Sequence, residues 1–104
     1  MVIMHKIKYI PLALKDLRDI TDYINGMLKA PKAATDLLDA LDASISRLAQ
    51  FPYSCRLYQP VQPLEGEYRI LPVKNYLVFY VVTEREVEIR RIIYAKMDIA
   101  KIVR

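Results

Sequence analysis

The sequence predicts an α+β domain with the element order β-α-α-β-β-β(-α), in which a helical hairpin packs on a mostly antiparallel four-stranded sheet. Three observations support this fold class. A short alternating run opens the chain, two amphipathic stretches of helical period follow it, and strand-like runs fill the second half. The chain has 104 residues, so residues 1–104 are expected to form a single domain.

The first strand and the first helix meet at a proline. Residues 6–10 alternate polar and apolar side chains, the period of a half-buried strand, and Pro11 ends the pattern. From about residue 12 to about residue 28 the period changes to three and four residues, which predicts an amphipathic helix. Gly26 and Pro31 mark its end. Its apolar stripe comprises Ala13, Leu17, Ile20, Ile24 and Met27.

A second helical pattern follows and stops at Phe51-Pro52. Its stripe comprises Ala34, Leu37, Leu38, Leu41, Ile45 and Leu48. The connection between the two helices is short, which predicts an antiparallel hairpin whose stripes need a sheet to cover them. Between about residues 52 and 66 several prolines and a glycine interrupt any period, which predicts an irregular crossing loop.

Strand-like runs separated by polar turns occupy the rest of the chain. The run at 76–82 is almost wholly β-branched, aromatic or aliphatic, as expected of a central strand covered on both faces. Turns are expected at 74–75 and 83–86, and Asp98 is expected to cap a short final helix ending near Val103. The three strands are Tyr68–Pro72, Tyr76–Val82 and Val87–Tyr94.

Composition narrows the environment and the partners. The formal net charge is +4, which favours an anionic partner such as RNA or an acidic protein. Cys55 is the only cysteine, so an internal disulfide is impossible and a reducing cytoplasm fits best. No apolar run approaches the length of a membrane span and the first six residues lack a signal-peptide pattern, so we expect a soluble, cytoplasmic protein with no membrane partner.

The run from Tyr68 to Tyr80, with the last strand and the tail Ala95-Lys96-Met97-Asp98, resembles the RelE/ParE toxins of type II toxin–antitoxin systems, the plasmid stabilisation type. A tyrosine–arginine pair opens one strand, a tight turn follows, and an aromatic-rich strand ends in Phe79-Tyr80. Order and spacing carry the resemblance over nearly the whole chain. It implies a cytoplasmic toxin that inhibits growth, needs no cofactor or metal, and is neutralised by a cognate antitoxin wrapping the helical hairpin and a sheet edge.

The family divides by target. RelE-like members are metal-independent, ribosome-dependent mRNA endoribonucleases, whereas ParE-like members bind DNA gyrase. In RelE-like enzymes an arginine commonly follows the aromatic residue of the central strand, and that place holds Leu77 here. The stretch Tyr94–Asp98 resembles the corresponding ParE segment. The resemblance is therefore nearer ParE than RelE, which favours DNA gyrase as target; a ribosome-dependent ribonuclease and a degenerate toxin that only binds its antitoxin remain the alternatives.

Candidate site residues follow from the basic and aromatic side chains on and beside the predicted sheet. The alternative role of the arginines is pairing with Glu67, Glu86 or Glu88. Candidate target-binding residues are Arg69, Lys74, Arg91, Tyr94, Lys96 and Lys101. If the protein is a ribonuclease, the catalytic candidates are Arg69, Tyr94 and Lys96. Candidate antitoxin contacts are Leu28, Leu57 and Tyr58.

The remaining histidine, cysteine, aspartate and aromatic residues are expected to have structural rather than catalytic roles. His5 lacks a paired carboxylate or a second histidine, and Cys55 lacks a basic partner in sequence, so neither is expected to act as ligand, base or nucleophile. The aspartates of the two helices are interleaved with lysine and arginine, which predicts a solvated face rather than a metal site. Core packing is expected for at least two of Tyr76, Phe79 and Tyr80.

Overall fold

The computed structural model describes residues 4–58 and 67–97. Their order of elements confirms the prediction through the last strand, and the final helix expected from Asp98 lies outside the described residues. Among these residues no helix is both long and apolar enough to cross a membrane. The elements are β1 (Lys6–Tyr9), α1 (Pro11–Asp22), α2 (Pro31–Ser46), β2 (Arg69–Val73), β3 (Tyr76–Val82) and β4 (Glu86–Tyr94).

The four strands form one mixed sheet in the order β1-β4-β3-β2. β1 runs parallel to β4, while β4 with β3 and β3 with β2 pair antiparallel, which confirms the predicted mostly antiparallel sheet. β1 spans only four residues and ends opposite Ile89, so β4 continues for several residues with no neighbouring strand on that side among residues 4–58 and 67–97. This unpaired stretch of β4 is where α1 meets the sheet.

Both helices begin at a proline, whose fixed φ and missing N–H suit the first position of a helix. α1 continues into a π-helical turn over Tyr23–Met27, which carries Met27 out of the apolar stripe and into solvent. The turn ends at Lys29, with a left-handed φ of 49°, and the N–H of Ala30 then donates to the carbonyl of Ile24 at 3.0 Å. The sequence predicted the end of this helical segment from Gly26 and Pro31, but it did not single out Lys29.

The main core lies between the helices and one face of the sheet. β3 supplies its centre, because Val78 and Tyr80 on the helical side and Phe79 on the opposite face are all fully buried. This confirms that Phe79 and Tyr80 serve core packing and that β3 is covered on both faces. On the outer face, away from the helices, Phe79 belongs to a second apolar cluster with Ile70 and Ile93, against which Tyr58, Tyr68 and Leu77 pack.

A β-bulge changes the alternation of β4. Tyr80 pairs with Ile89 but Phe79 pairs with Arg91, so Arg90 is an extra residue in the ladder. Val87, Ile89 and Ile92 therefore all face the helices even though strict alternation places Ile92 on the other face.

β2 is an edge strand whose first half is covered by a short segment before the undescribed stretch. The N–H of Tyr58 donates to the carbonyl of Tyr68, and the N–H of Ile70 donates to the carbonyl of Arg56. Positions 68 and 70 thus turn their backbone groups away from β3, and Pro72 occupies the next such position. Its missing N–H consequently costs no hydrogen bond between β2 and β3.

Candidate functional site

Asp16 of α1 binds Arg91 of β4 through both carboxylate oxygens. Arg91 donates from Nε to Oδ2 at 2.7 Å and from Nη2 to Oδ1 at 3.0 Å, and the N–H of Ile92 donates to Oδ2 at 3.0 Å. The hydrogen bond to Asp16 raises the pKa of Arg91 above its usual value. The expectation of a solvated aspartate face is wrong at Asp16, and Arg91 pairs with it rather than with Glu67, Glu86 or Glu88.

Arg69 of β2 binds the loop that follows α2. Its Nη1 donates to the carbonyl of Cys55 at 2.7 Å, and its guanidinium carbon lies 5.0 Å from the ring centre of Tyr53. Tyr80 of β3 is the residue that pairs with Arg69 in the sheet. Its hydroxyl donates to the carbonyl of Pro52 at 2.9 Å. Arg69 and Tyr80 thus fasten residues 52–55 onto the sheet, a role that the sequence did not reveal because the partners are backbone carbonyls.

The buried hydroxyl of Tyr80 is the most strongly perturbed group in this cluster. Burial raises the pKa of Tyr80 well above its ordinary value, and the neighbouring Cys55 raises it further. The Cys55 thiol lies 3.9 Å from the Ser54 hydroxyl oxygen, and His5 makes an edge contact with Tyr53. Among the described residues no group of three histidine, cysteine or acidic side chains is placed to hold a metal ion.

Three of the predicted target-binding residues meet at one end of the sheet, which we call the basic end: Lys74, Tyr94 and Lys96. The N–H of Ala95 donates to the carbonyl of Asn75 at 2.9 Å, which joins the turn between β2 and β3 to the end of β4. Lys74 and Lys96 are exposed, and Tyr94 is 38% exposed. Lys101, the remaining lysine candidate, lies outside the described residues.

Aromatic side chains pack against each other at the basic end. The rings of Tyr76 and Tyr94 are 5.6 Å apart, in an edge contact. Burial raises the pKa of Tyr76, and the neighbouring hydroxyls of Tyr94 and Tyr23 raise it further, which places Tyr23 of the π-helical turn in the same neighbourhood. Tyr23 could not be singled out from the sequence, because it lies off the apolar stripe of the helix.

The predicted antitoxin contacts lie in two different regions. Leu28 is 55% exposed at the end of the π-helical turn. Leu57 forms an isolated bridge with Arg69, and the ring of Tyr58 makes an edge contact with Phe79 on the outer face of the sheet, with 5.3 Å between ring centres. The structure therefore gives Leu57 and Tyr58 a packing role at β2, and leaves Leu28 on the surface of the helical layer.

An open cleft of about 310 Å³ lies between α1 and α2, and the sequence did not predict it. Leu38 was expected in the buried stripe of α2, yet it is 39% exposed at this cleft. Asp39 and Asp42 line it as well. The remaining lining residues are Tyr9, Leu17, Leu41, Ile45 and Ile92.

Two helices on a four-stranded mixed sheet form a fold that is also found in solved chains of two toxin–antitoxin systems. A solved chain of the chromosomal ParDE toxin–antitoxin system from P. aeruginosa matches with a TM-score of 0.72 and 22% identity, over 89% of this chain and 98% of that one. A chain of the E. coli DinJ-YafQ toxin–antitoxin complex matches with a TM-score of 0.50 and 15% identity, over 88% and 93%. These likenesses establish the fold.

The chain belongs to the ParE toxin family. The model of that family, described as the ParE toxin of the type II toxin–antitoxin system parDE, matches residues 7–99. No curated protein sequence matches the chain. The expected relationship, nearer ParE than RelE, is confirmed by the family match.

Proposed function

We propose that this ParE-type toxin arrests growth in the cytoplasm by binding DNA gyrase through its basic end, and that a cognate antitoxin neutralises it. The observation that carries this proposal is that both candidate arginines of the sheet form hydrogen bonds within the chain itself. Arg91 holds Asp16 through two hydrogen bonds, and Arg69 holds the carbonyl of Cys55. Both arginines are therefore engaged within the fold, which leaves the exposed candidates Lys74, Tyr94 and Lys96 to contact the target.

The outer face of the sheet supports a binding role over RNA cleavage. Metal-independent phosphodiester cleavage needs a general base, a general acid and cations around the reacting phosphate. Leu77 stands where RelE-like enzymes commonly have arginine, and it packs with Ile70, Phe79 and Ile93 in the outer apolar cluster. A packed apolar side chain at this position supplies no cation for the reacting phosphate, which favours a binding role over cleavage.

The basic end supplies the charge and shape for such a contact. Lys74 and Lys96 offer two exposed cations beside the partly exposed ring of Tyr94. Aromatic residues are favoured at protein interfaces, and peripheral cations steer an anionic partner towards them. One observation favours the alternative ribonuclease function, because tyrosine and lysine side by side are also residue types that assist phosphate chemistry.

Induction in bacterial cells carrying a reporter plasmid tests the proposal. Expression of the chain is expected to stop growth and relax the plasmid, and co-expression of the reading frame adjacent to its gene is expected to restore both. The double variant Lys74→Ala/Lys96→Ala should lose most of the effect. Lys15→Ala/Lys32→Ala removes the same charge from exposed helix positions and serves as the matched control.

Three other outcomes contradict parts of the proposal. Growth arrest with normal plasmid supercoiling and cleaved mRNA indicates a ribosome-dependent ribonuclease. Normal growth with a folded chain that still binds the adjacent gene product indicates a degenerate toxin. Equal effects of the two double variants exclude the basic end as the contact surface.

A further inference from the structure

α1 lies along β4 and runs in the same direction as that strand. Just before the helix, the N–H of Ile10 donates to the carbonyl of Ile89 at 3.0 Å, and further along Asp16 accepts the N–H of Ile92. The helix therefore advances from the middle of β4 towards the end of the strand. Tyr23 lies about two helical turns beyond Asp16, roughly 10 Å further on, which brings it to the basic end.

Contacts of Tyr76 agree with this placement of Tyr23. Tyr76 packs against the main core, to which Ile24, the neighbour of Tyr23, also belongs. Its ring lies 5.6 Å from the ring of Tyr94. Burial raises the pKa of Tyr76, and the hydroxyls of Tyr94 and Tyr23 raise it further. Three tyrosines, one from the helical layer and two from the sheet, therefore lie together at this end of the molecule.

The π-helical turn presents side chains to solvent beside these tyrosines. The N–H of Leu28 donates to the carbonyl of Tyr23 at 3.1 Å, five residues back instead of the four of an α-helix. The extra residue rotates the positions that follow, so Met27 leaves the apolar stripe and is 76% exposed. Tyr23 itself is 54% exposed. Single π-helical turns within helices occur frequently at functional sites.

We call Tyr23, Met27, Tyr76 and Tyr94 the aromatic surface, and lysines border it. Lys29 follows the π-helical turn, while Lys74 and Lys96 belong to the basic end, and all three are exposed. Within residues 4–58 and 67–97 none of these lysines forms an ion pair.

A partner that covers the aromatic surface must match both its apolar centre and its cationic border. Tyrosine and methionine are enriched at protein interfaces, and methionine adapts to the shape of what it contacts. Acidic residues at the edge of the partner pair with the three lysines, whereas basic residues there are repelled. The fitting partner is therefore an apolar protein segment flanked by aspartate or glutamate.

We infer that Tyr23 and Met27 extend the target-binding surface from the basic end onto the end of α1, and that this surface receives an apolar segment of the target flanked by acidic residues. This inference rests on the proposed function. The target contacts the helical layer and the sheet at once, because Tyr23 belongs to the helix and Tyr94 to β4. The π-helical turn supplies the helical half of that contact.

Inhibition of purified DNA gyrase by variants of the chain tests the inference. Tyr23→Ala/Met27→Ala is expected to raise the concentration for half-inhibition of supercoiling about tenfold or more, as truncation of an aromatic anchor does at other interfaces. Tyr23→Phe/Met27→Leu restores the apolar volume and should recover most of the inhibition. Leu12→Ala/Leu14→Ala is the matched control, because it truncates exposed apolar residues in the first turn of α1.

Lys29→Ala examines the charged border separately. It is expected to weaken inhibition about threefold at low salt and much less at about 500 mM salt, since exposed charges act mainly through screened attraction. Thermal unfolding of each variant verifies that the fold is retained.

The possible failures are distinguishable. Equal inhibition by the unmodified chain, Tyr23→Ala/Met27→Ala and Leu12→Ala/Leu14→Ala overturns the inference while leaving gyrase as the target. No inhibition by the unmodified chain contradicts the proposed function itself. Unchanged inhibition by Tyr23→Ala/Met27→Ala that the adjacent gene product no longer prevents assigns the aromatic surface to the antitoxin and also overturns the inference.

Discussion

Asp16 and Arg91 form a two-point ion pair that joins α1 to the part of β4 left uncovered by β1. The same carboxylate accepts the N–H of Ile92, so it occupies the place of the next strand's carbonyl. One side chain thereby satisfies a backbone donor at a sheet edge and fixes the helical layer on the sheet. An edge capped in this way is also closed to strand addition at Ile92.

Replacing Asp16 by asparagine is expected to destabilise the fold by about 2–3 kcal/mol. The change removes a carboxylate that accepts two hydrogen bonds from Arg91, at a place where the two side chains are only 13% and 23% exposed. Urea unfolding measures the effect. Asp19→Asn, which breaks the exposed pair with Lys15, should cost no more than about 0.5 kcal/mol. Equal losses in the two variants contradict the structural role of the Asp16–Arg91 pair.

Removing the Tyr80 hydroxyl is expected to change how stability depends on alkaline pH. The folded pKa of Tyr80 is raised, so the stability tied to its protonated form is complete below about pH 10 and is lost as pH rises further. Near neutral pH, Tyr80→Phe should cost about 1 kcal/mol through the lost bond to Pro52.

Above about pH 10 this difference should shrink, since the unmodified protein loses up to about 1.4 kcal/mol per pH unit from this tyrosine. Denaturant unfolding from neutral to alkaline pH, followed by circular dichroism, provides the comparison. Stability curves that stay parallel throughout would show that Tyr80 does not remain protonated in the folded state.

Replacing Lys29 by glycine is expected to stabilise the protein by as much as about 1 kcal/mol. Lys29 has a φ of 49°, a left-handed conformation in which a Cβ atom is unfavourable. The same substitution at Lys15, inside α1, should cost about 1 kcal/mol because glycine lowers helix propensity. Thermal unfolding of both variants suffices, and a loss of stability in Lys29→Gly is the contrary result.

Replacing Arg69 by alanine is expected to release the loop at residues 52–55 from the sheet. The variant loses a charged hydrogen bond to Cys55 and the contact with Tyr53, together worth about 2 kcal/mol. Limited chymotrypsin digestion should then cut faster after Tyr53, because the Phe51–Pro52 bond resists this protease. Arg56→Ala removes a neighbouring exposed arginine and controls for charge. Unchanged digestion in Arg69→Ala leaves Arg69 available for a direct role in target binding.

The regular elements could be predicted because their signals are local. Each of these signals can be recognised from residues that are close together in the sequence. They are the helical period of 12–28, the prolines at 11 and 31, and the unbroken apolar run at 76–82. The cluster at the basic end could also be predicted from the sequence. Because β2 pairs with β3 and β3 pairs with β4, the turn at Lys74 lies close to Tyr94 and Lys96 at the end of β4.

The rest depends on relationships that no local pattern encodes. Asp16 and Arg91 are 75 residues apart, and their contact exists only because β1 ends early. The cleft arises from helices that pack on different strands, so Leu38 carries a core pattern yet stays exposed. The bulge at Arg90 changes which isoleucine of β4 faces the helices, and that change follows from pairing with β3.

A DNA gyrase supercoiling assay with the purified, folded chain tests the central claim most directly. The chain is expected to inhibit supercoiling in proportion to its concentration and to trap cleaved DNA, and prior mixing with the adjacent gene product is expected to prevent both effects. Full supercoiling activity at a large molar excess of folded chain, together with mRNA cleavage in a translating extract, would contradict gyrase as the target.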